Sequence, residues 1–228
     1  ESLLVDLLEI SRFDAGAAVL ETDRTDLVPM IERIIHATEP LAQRNDVKVR
    51  FAAYERPAYV ECDHRRIDRV IRNLVDNAIE HANGTGVVIE LAGDPSAVAV
   101  AVRDFGVGLM PGEASLAFSR FWRADKARAR TTGGSGLGLA IALEDTRLHG
   151  GWLEAAGEPG QGSCFRLTLP RIAGASFIAS PLPLEEGFSR AVEPGVTEQF
   201  KDQSQTETGP GTRARDPLDT APWRRGAP

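Results

Sequence analysis

Three short motifs in this chain combine residue types that can hold a purine and a chain of phosphates. They are Asn73-Leu-Val-Asp-Asn77, Asp104-Phe-Gly-Val-Gly108 and Gly133-Gly-Ser-Gly-Leu-Gly-Leu-Ala140. Each motif alone is weak evidence, because asparagine, aspartate and glycine are common in ordinary turns and loops. Their presence together, in this order and spacing, predicts a site for ATP.

The first motif places two asparagines on one face of a predicted helix at 65–82. Asn73 and Asn77 are one helical turn apart. Asparagine costs about a few tenths of a kcal/mol relative to alanine inside a helix, so two of them need a reason. Their amide oxygens could bind Mg²⁺ and phosphate oxygens, and an ordinary solvated face is the alternative. His81 continues this side, either as a ring against a nucleotide or as an exposed histidine.

The second motif puts a carboxylate directly after a predicted strand at 97–102. Asp104 can accept a hydrogen bond from the exocyclic amine of adenine, whereas guanine presents an oxygen at that position. Gly106 and Gly108 would let the backbone turn sharply and approach the base. A plain Asp-Gly loop is the alternative.

The third motif opens a predicted helix at 137–149, where free backbone N–H groups favour phosphate. The cluster superficially resembles a dinucleotide-binding fingerprint, but it follows a basic loop and not a strand, which argues against a Rossmann domain. The sequence GxxxxGK[ST] of a P-loop is absent. The candidate phosphate-binding residues are Gly134, Ser135, Gly136, Leu137 and Gly138.

The loop between the second and third motifs is basic and aromatic. Arg123, Lys126, Arg128 and Arg130 could bring positive charge to the phosphates from a mobile lid, or could simply be solvated. Phe121 and the adjacent Trp122 could anchor that lid on an apolar surface, or could belong to the core.

The composition suits one globular domain with extensions: 228 residues, 42% hydrophobic and 26% charged. The net charge of -7 disfavours a general nucleic-acid-binding role. Two cysteines are too few for a disulfide scaffold or a zinc site.

We see no signal peptide and no run near the roughly 18 apolar residues of a membrane span, so we expect a cytoplasmic segment. Because the chain starts within a helical pattern of apolar residues and not with Met, we expect a piece of a longer protein.

Apolar periodicity predicts the elements that must position the motifs. The first helix is amphipathic and needs a partner helix, and Asp63 is a predicted N-cap. We expect the strands at 47–51 and 58–62 to pair, and the strands at 87–91 and 97–102 to be adjacent central strands. The predicted helices are 1–14, 27–43, 65–82 and 137–149, and the predicted strands are 47–51, 58–62, 87–91, 97–102, 152–154 and 163–169.

The composition changes after Arg171, where Pro, Gly, Glu, Thr and Gln dominate. We expect residues 172–228 to be a disordered tail, because they carry too few apolar residues to order themselves. The alternative for Ser180-Pro-Leu-Pro-Leu184 is an extended segment that docks on the domain.

The order of the motifs resembles the ATP-binding domain of sensor histidine kinases, in the superfamily that includes gyrase, Hsp90 and MutL. The boxes are NLVDN (asparagine), DFGVG (first glycine), FSRFWR (phenylalanine) and GGSGLGLA (second glycine). The match covers about residues 21–170. The phrases LEDTRLH, GEPGQGSCF and SPLPL resemble the actinobacterial MtrB-type members in particular.

The resemblance implies an α+β fold, a Bergerat-type two-layer α/β sandwich with a mixed five-stranded sheet and three helices. This domain would span 21–171, after the end of a dimerisation helix and linker at 1–20. The resemblance places Asp104 at adenine, Asn73 on Mg²⁺ and Asn77 with the second glycine box at the phosphates. The lid arginines of the family correspond to Arg123 and Arg128.

One residue departs from the family pattern. Glu80 stands where many members carry a phosphate-binding lysine, and a carboxylate cannot replace that charge. Either the lid arginines compensate or Glu80 faces away from the site.

The resemblance also implies partners. A histidine on a helical domain would receive the γ-phosphoryl group of Mg-ATP and pass it to a response regulator. The chain's four histidines, His36, His64, His81 and His149, lie in other sequence contexts, so we expect the acceptor helix to precede Glu1. We therefore expect no autophosphorylation by this chain alone, and a membrane-anchored homodimer for the full-length protein. A related ATPase or serine kinase, and a nucleotide-dependent binding module, are the alternatives.

Overall fold

The computed structural model describes residues 2–14, 18–123 and 135–184. The predictions for Arg128 and Gly134, and those for the chain after 184, lie outside the described residues. Five helices are described: α1 (Ser2–Asp14), α2 (Leu27–Arg44), α3 (His64–His81), α4 (Glu113–Leu116) and α5 (Gly138–Leu148). The strands are β1 (Asp23–Asp26), β2 (Lys48–Ala53), β3 (Tyr59–Cys62), β4 (Gly86–Gly93), β5 (Ala97–Asp104), β6 (Trp152–Glu158) and β7 (Gly162–Pro170).

The main sheet has five strands in the order β2-β4-β5-β7-β6. β2 and β4 run parallel, and the other three pairs are antiparallel, so the predicted mixed sheet is confirmed. The expected pairing of β4 with β5 is also confirmed.

The expected pairing of β2 with β3 is wrong. β3 pairs antiparallel with β1 in a separate two-stranded sheet, with Asp23 opposite Cys62. β2 pairs with β4, and α3 lies in the crossover that a parallel pair requires. Alternation marks a segment as a strand but does not specify its partner, and the polar four-residue β1 shows no apolar alternation.

The helices α2, α3 and α5 cover one face of the main sheet, which gives the expected two-layer architecture. Six apolar residues at helical spacing form the buried stripe of α3, because none of them has exposed surface. The predicted cap is confirmed: the Asp63 carboxylate accepts from the backbone N–H groups of Arg65 and Arg66. The six stripe residues are Ile67, Val70, Ile71, Leu74, Ala78 and Ile79.

The opposite face of the sheet is covered by the chain that follows β7. Residues 172–184 were expected to belong to a disordered tail, but Leu182 is buried against this face. Thr168 on β7 donates to the hydroxyl of Ser180 at 2.8 Å. The docking considered above as the alternative is therefore found, although the segment bends at 181–182 and is not extended, and the ordered chain continues beyond residue 171.

The C-terminal half of the first helix packs on α3 and α5. Ile10 is buried with Leu137 and Ile141 of the α5 region. Glu9 approaches the guanidinium groups of Arg66 and Arg69 on α3 at 3.4 and 3.3 Å. In the described ranges, no helix combines the length and hydropathy that crossing a membrane requires.

Candidate functional site

A buried carboxylate marks the end of β5. Asp104 is 1% exposed, and its Oδ1 accepts from the backbone N–H of Gly106 at 2.9 Å. Its Oδ2 accepts from the hydroxyl of Ser163, which stands opposite it on β7. Burial raises the pKa of the Asp104 carboxyl, and these two hydrogen bonds oppose that rise only in part. The side chain is thus rigidly oriented.

The turn after Asp104 is packed too closely for larger residues. A Cβ added to Gly106 would overlap the carbonyl oxygen of His81 at the end of α3. Gly108 has φ +71°, and a Cβ there would overlap the carbonyl oxygen of Glu158 at the end of β6. The backbone N–H of Val107 donates to the His81 carbonyl at 3.3 Å. This turn therefore ties the Asp104 carboxylate to α3 on one side and to the β6–β7 connection on the other.

The asparagine box is joined directly to the second glycine box. Nδ2 of Asn73 donates to the carbonyl oxygen of Gly138, the first residue of α5, at 3.0 Å. Asn73 and Asn77 are both half-buried. This bond fixes the amide plane of Asn73 and sets the distance between α3 and the start of α5.

Two carboxylates share the polar side of α3 with the asparagines. Burial raises the pKa of Asp76, Arg72 opposes that rise, and the nearby charge of Glu80 adds to it. Glu80 is half-buried. Glu80 therefore lies close enough to Asp76 for the two carboxylates to repel each other. This side of α3 is thus acidic at position 80, where many members of the family carry a lysine.

The phenylalanine box is divided between core and surface. Phe118 and Trp122 pack against the main core, and Phe118 meets the ring of Phe165 edge-on at 6.0 Å. Phe121 is 61% exposed with φ +63°, and its backbone N–H donates to the carbonyl of Gly136 at 2.9 Å. Trp122 is thus a core residue, whereas Phe121 holds the glycine box through its backbone and leaves its ring outside.

The glycine box meets α1 through two of the predicted residues. The hydroxyl of Ser135 donates to Asp6 on α1 at 3.1 Å and accepts from the backbone N–H of Leu137 at 3.3 Å. The side chain of Leu137 is fully buried beside Ile10. Only the backbone of Leu137 is therefore placed to meet a ligand.

The structure thus brings together two halves of the predicted site. One half holds Asp104, Gly106, Gly108 and the end of α3 at His81, and the other holds Asn73 with the start of α5. Arg123 is half-buried at the edge of the described loop.

Sequence reasoning missed Ser163, although it lies in the GEPGQGSCF segment, at the start of β7. Its role depends on the pairing of β5 with β7, in which Asp104 and Ser163 are direct partners. The signal that could have found it is a serine that follows a glycine at the start of a strand, downstream of a buried carboxylate in the sequence.

Comparison with known proteins identifies the family. A family model described as histidine kinase-, DNA gyrase B-, and HSP90-like ATPase matches residues 62–173, which contain all three motifs. The sensor histidine kinase MtrB of Mycolicibacterium paratuberculosis is 52% identical over 185 residues. The chain belongs to this ATPase family. Within the family, its relatives are sensor histidine kinases, which confirms the predicted resemblance.

Two of these relatives show how much of a full protein the chain represents. The alignment with MtrB of Mycolicibacterium paratuberculosis covers 81% of this chain and 33% of that protein. MtrB of Mycobacterium tuberculosis is 50% identical, again over 81% of this chain and 33% of the relative. The chain therefore spans about a third of the length of these curated relatives.

Solved structures confirm the fold. Full-length ShkA in complex with AMPPNP superposes with a TM-score of 0.67 at 26% identity, over 77% of this chain and 36% of that one. The mycobacterial sensor histidine kinase MprB superposes with a TM-score of 0.56 at 28% identity, over 67% of this chain and 99% of that one. The described domain is thus an ATPase domain of the histidine kinase type.

Proposed function

We propose that this chain holds Mg-ATP while a histidine on a separate helical domain of the same sensor kinase attacks the γ-phosphorus. The observation that carries the proposal is the buried carboxylate of Asp104, fixed by Gly106 and Ser163 at the edge of the two-part site. The AMPPNP bound to full-length ShkA, a structural relative, supports a nucleotide at this fold.

Asp104 would select adenine. A carboxylate offers about four acceptor sites. The hydrogen bonds from Gly106 and Ser163 therefore leave acceptor capacity for the exocyclic amine of the base. Guanine would direct a carbonyl oxygen at the same carboxylate and be repelled. Gly106 and Gly108 hold the turn that orients this carboxylate, because a Cβ at either position would overlap a backbone carbonyl. His81 would stand beside the nucleotide, since it lies close enough to Asp104 to lower the pKa of that carboxyl.

Asn73 suits a Mg²⁺ ligand. Because its Nδ2 donates to the Gly138 carbonyl, the amide is held in one orientation with its oxygen as the remaining acceptor. Mg²⁺ takes oxygen ligands and usually bridges phosphate oxygens. When bound, it would neutralise charge on the transferring phosphoryl group.

The phosphates would lie between α3 and the start of α5. Asn77 and the backbone N–H groups of Ser135, Gly136, Leu137 and Gly138 would contact them, because a helix N-terminus favours anions. Gly134, Phe121, Arg123 and Arg128 would border the same space, and the arginines would supply positive charge from the loop.

In this proposal the domain orients the reaction and stabilises its charge. The histidine nitrogen forms the new bond to phosphorus as the bond to the β-phosphate oxygen breaks, and ADP leaves. Positioning and charge neutralisation supply most of the rate in such transfers. The phosphoryl group would then move to an aspartate of a response regulator.

The first helix supports a homodimeric full-length kinase. From the similarity to sensor histidine kinases we infer that this kinase is anchored in the cell membrane, with the present domain in the cytoplasm. Leu4, Leu7 and Leu8 are 69%, 41% and 65% exposed, whereas Ile10 on the docked side is buried. An exposed leucine row of this kind requires a partner helix. We infer that α1 ends the dimerisation helix of the acceptor domain.

A phosphotransfer assay in trans tests the proposal. The chain would be mixed with labelled Mg-ATP and the separately produced helical domain of the same kinase. We expect acid-labile phosphate on the helical domain, none on this chain alone, and a large loss with Asn73→Ala. Asn45→Ala is the matched control, because Asn45 bonds to Leu41 at the end of α2. Phosphoserine on a protein substrate, or acid-labile phosphate on this chain alone, would contradict the proposal.

A further inference from the structure

The outer face of the main sheet contains a trough of small side chains. Ala92 on β4, Ala99 and Ala101 on β5 and Cys164 on β7 form one buried cluster with Leu182. Leu182 comes from beyond the sheet and is 2% exposed. Small residues on adjacent strands leave room for one larger side chain, and Leu182 fills that room.

The outward-facing residues of β7 hold the backbone of the segment that supplies Leu182. The guanidinium of Arg166 donates to the carbonyl oxygen of Leu182 and is held in place by Glu154, whose Oε2 accepts from Arg166 Nη2 at 2.6 Å. Thr168 donates to Ser180 at 2.8 Å. Both contacts are specific for this segment, because each joins a buried polar group on the sheet to a defined partner on the segment.

The segment, residues 177–184 (hereafter the strap), is anchored through Phe177 and Leu182, and its backbone bends at 178–179 and 181–182. The ring of Phe177 lies 4.4 Å from that of Trp152 on β6. Prolines flank Leu182 on both sides, and proline fixes its own φ and restricts the residue before it. A segment restricted in this way loses less conformational entropy when it docks.

The strap is not an additional strand. Its described contacts with β7 run through the side chains of Arg166 and Thr168, and the sheet order ends at β2 and β6. It can therefore leave the surface without breaking the hydrogen-bond ladders of the sheet.

We propose that the outer face of the sheet is a groove that recognises a segment with a leucine between two prolines. Its occupant is the chain's own strap, which docks and undocks as a unit. Arg166 binds the backbone carbonyl of Leu182, and Thr168 binds the hydroxyl of Ser180. The trough of small side chains holds the side chain of Leu182.

Cys164 provides a direct readout, because its thiol lies in the trough under the strap. It is 5% exposed, and Cys62, which lies in the main core at 1%, is the internal reference for global unfolding. Labelling of both thiols in the full chain would be followed by mass spectrometry. We expect Leu182→Ala to accelerate labelling of Cys164 at least about tenfold, since local opening sets the rate, and to leave Cys62 protected.

The matched control is Ile178→Ala, in the same strap. Ile178 is 97% exposed, so its truncation should leave both labelling rates unchanged. Equal Cys164 rates in Leu182→Ala and wild type would overturn the proposal, as would acceleration by Ile178→Ala equal to that by Leu182→Ala.

A peptide in trans tests recognition by the groove itself. In the full chain carrying Leu182→Asp, a synthetic peptide of residues 175–184 should slow Cys164 labelling, and the same peptide with aspartate at the leucine position should not. If both cysteines of that variant are labelled equally, it has unfolded, and the peptides are then tested on Leu182→Ala. Failure of the native peptide to protect, or equal protection by both peptides, would contradict the proposal.

Discussion

Ser163 donates its hydroxyl hydrogen to Oδ2 of Asp104, its direct partner across the antiparallel β5–β7 ladder. Both side chains are buried, and the second oxygen of Asp104 is occupied by the Gly106 N–H. The carboxylate thus has one orientation before any ligand arrives. A preoriented acceptor loses less entropy when it binds, which suits a base-selecting residue.

Removing the Ser163 hydroxyl should weaken nucleotide binding. We expect Ser163→Ala to lower the affinity for Mg-ADP about tenfold, because a hydrogen bond to a charged group is worth about 1.5–3 kcal/mol. Isothermal titration calorimetry measures the change. Ser96→Ala is the control, since Ser96 bonds to Asp94 at the other end of β5. Unchanged affinity in Ser163→Ala would show that Asp104 does not need this partner.

The buried charge of Asp104 should lower the stability of the nucleotide-free protein at neutral pH. Burial raises its pKa in the folded state, so the stabilisation from the protonated form is present below the ordinary carboxyl pKa. It is lost as the pH rises through the raised folded pKa. We therefore expect Asp104→Asn to melt at a higher temperature than wild type at about pH 7, with a difference that shrinks toward about pH 4.

Asp94 should show the opposite sign in the same melting experiments. Partial burial would raise the pKa of Asp94, but hydrogen bonds from Ser96 and Ala97 outweigh it and hold the pKa below its ordinary value. Its stabilisation is present above the ordinary pKa and is lost as the pH falls through the lowered one. Asp94→Asn should therefore melt below wild type at neutral pH. The same sign for both variants would exclude this electrostatic explanation.

The carboxylate of Asp145 should be essential for stability. It is fully buried on α5 and receives Arg66 at 2.9 Å and Arg69 at 2.7 Å from α3. Removing one partner of a buried ion pair costs about 3–5 kcal/mol, so we expect Asp145→Ala to lose that much in urea unfolding. The neighbouring Glu144 pairs with Arg147 near the surface, and Glu144→Ala should cost about 0–1 kcal/mol. Similar losses in both variants would contradict this assignment.

Reversing the charge of Glu80 should tighten nucleotide binding. Glu80 raises the pKa of Asp76 by repulsion, so a lysine at position 80 would remove that repulsion and add a cation for phosphate. We expect Glu80→Lys to raise the affinity for Mg-ATP about tenfold and Glu80→Gln to raise it less. Fluorescence titration with a labelled ATP analogue would measure both. If neither variant changes the affinity, Glu80 faces away from the phosphates.

Local sequence patterns predicted the parts of the fold that local physics determines. The apolar spacing of α3 and the cap at Asp63 follow from one helix alone, and both were predictable. The partners of β2 and β3 depend on contacts between distant strands, so alternation could not assign them. Docking of the strap was only the alternative expectation, because its one buried leucine lies in a segment whose average composition resembles a disordered tail.

The candidate site was predictable in its residues but not in their connections. The spacing of Asn73, Asp104 and Gly138 indicates a nucleotide site, yet the bond from Asn73 to Gly138 requires α3 and α5 to be neighbours. Ser163 likewise becomes meaningful only when β7 is paired with β5. Residue types carry the chemistry, and tertiary contacts decide which of them act together.

Calorimetric titration with Mg-ADP and Mg-GDP tests most directly whether Asp104 selects adenine in this domain. Wild type and Asp94→Asn should bind Mg-ADP and discriminate against Mg-GDP, and Asp104→Asn should lose Mg-ADP binding while remaining folded. Binding of Mg-ADP by Asp104→Asn with unchanged affinity, or equal binding of both nucleotides by the wild type, would contradict the proposed role of Asp104.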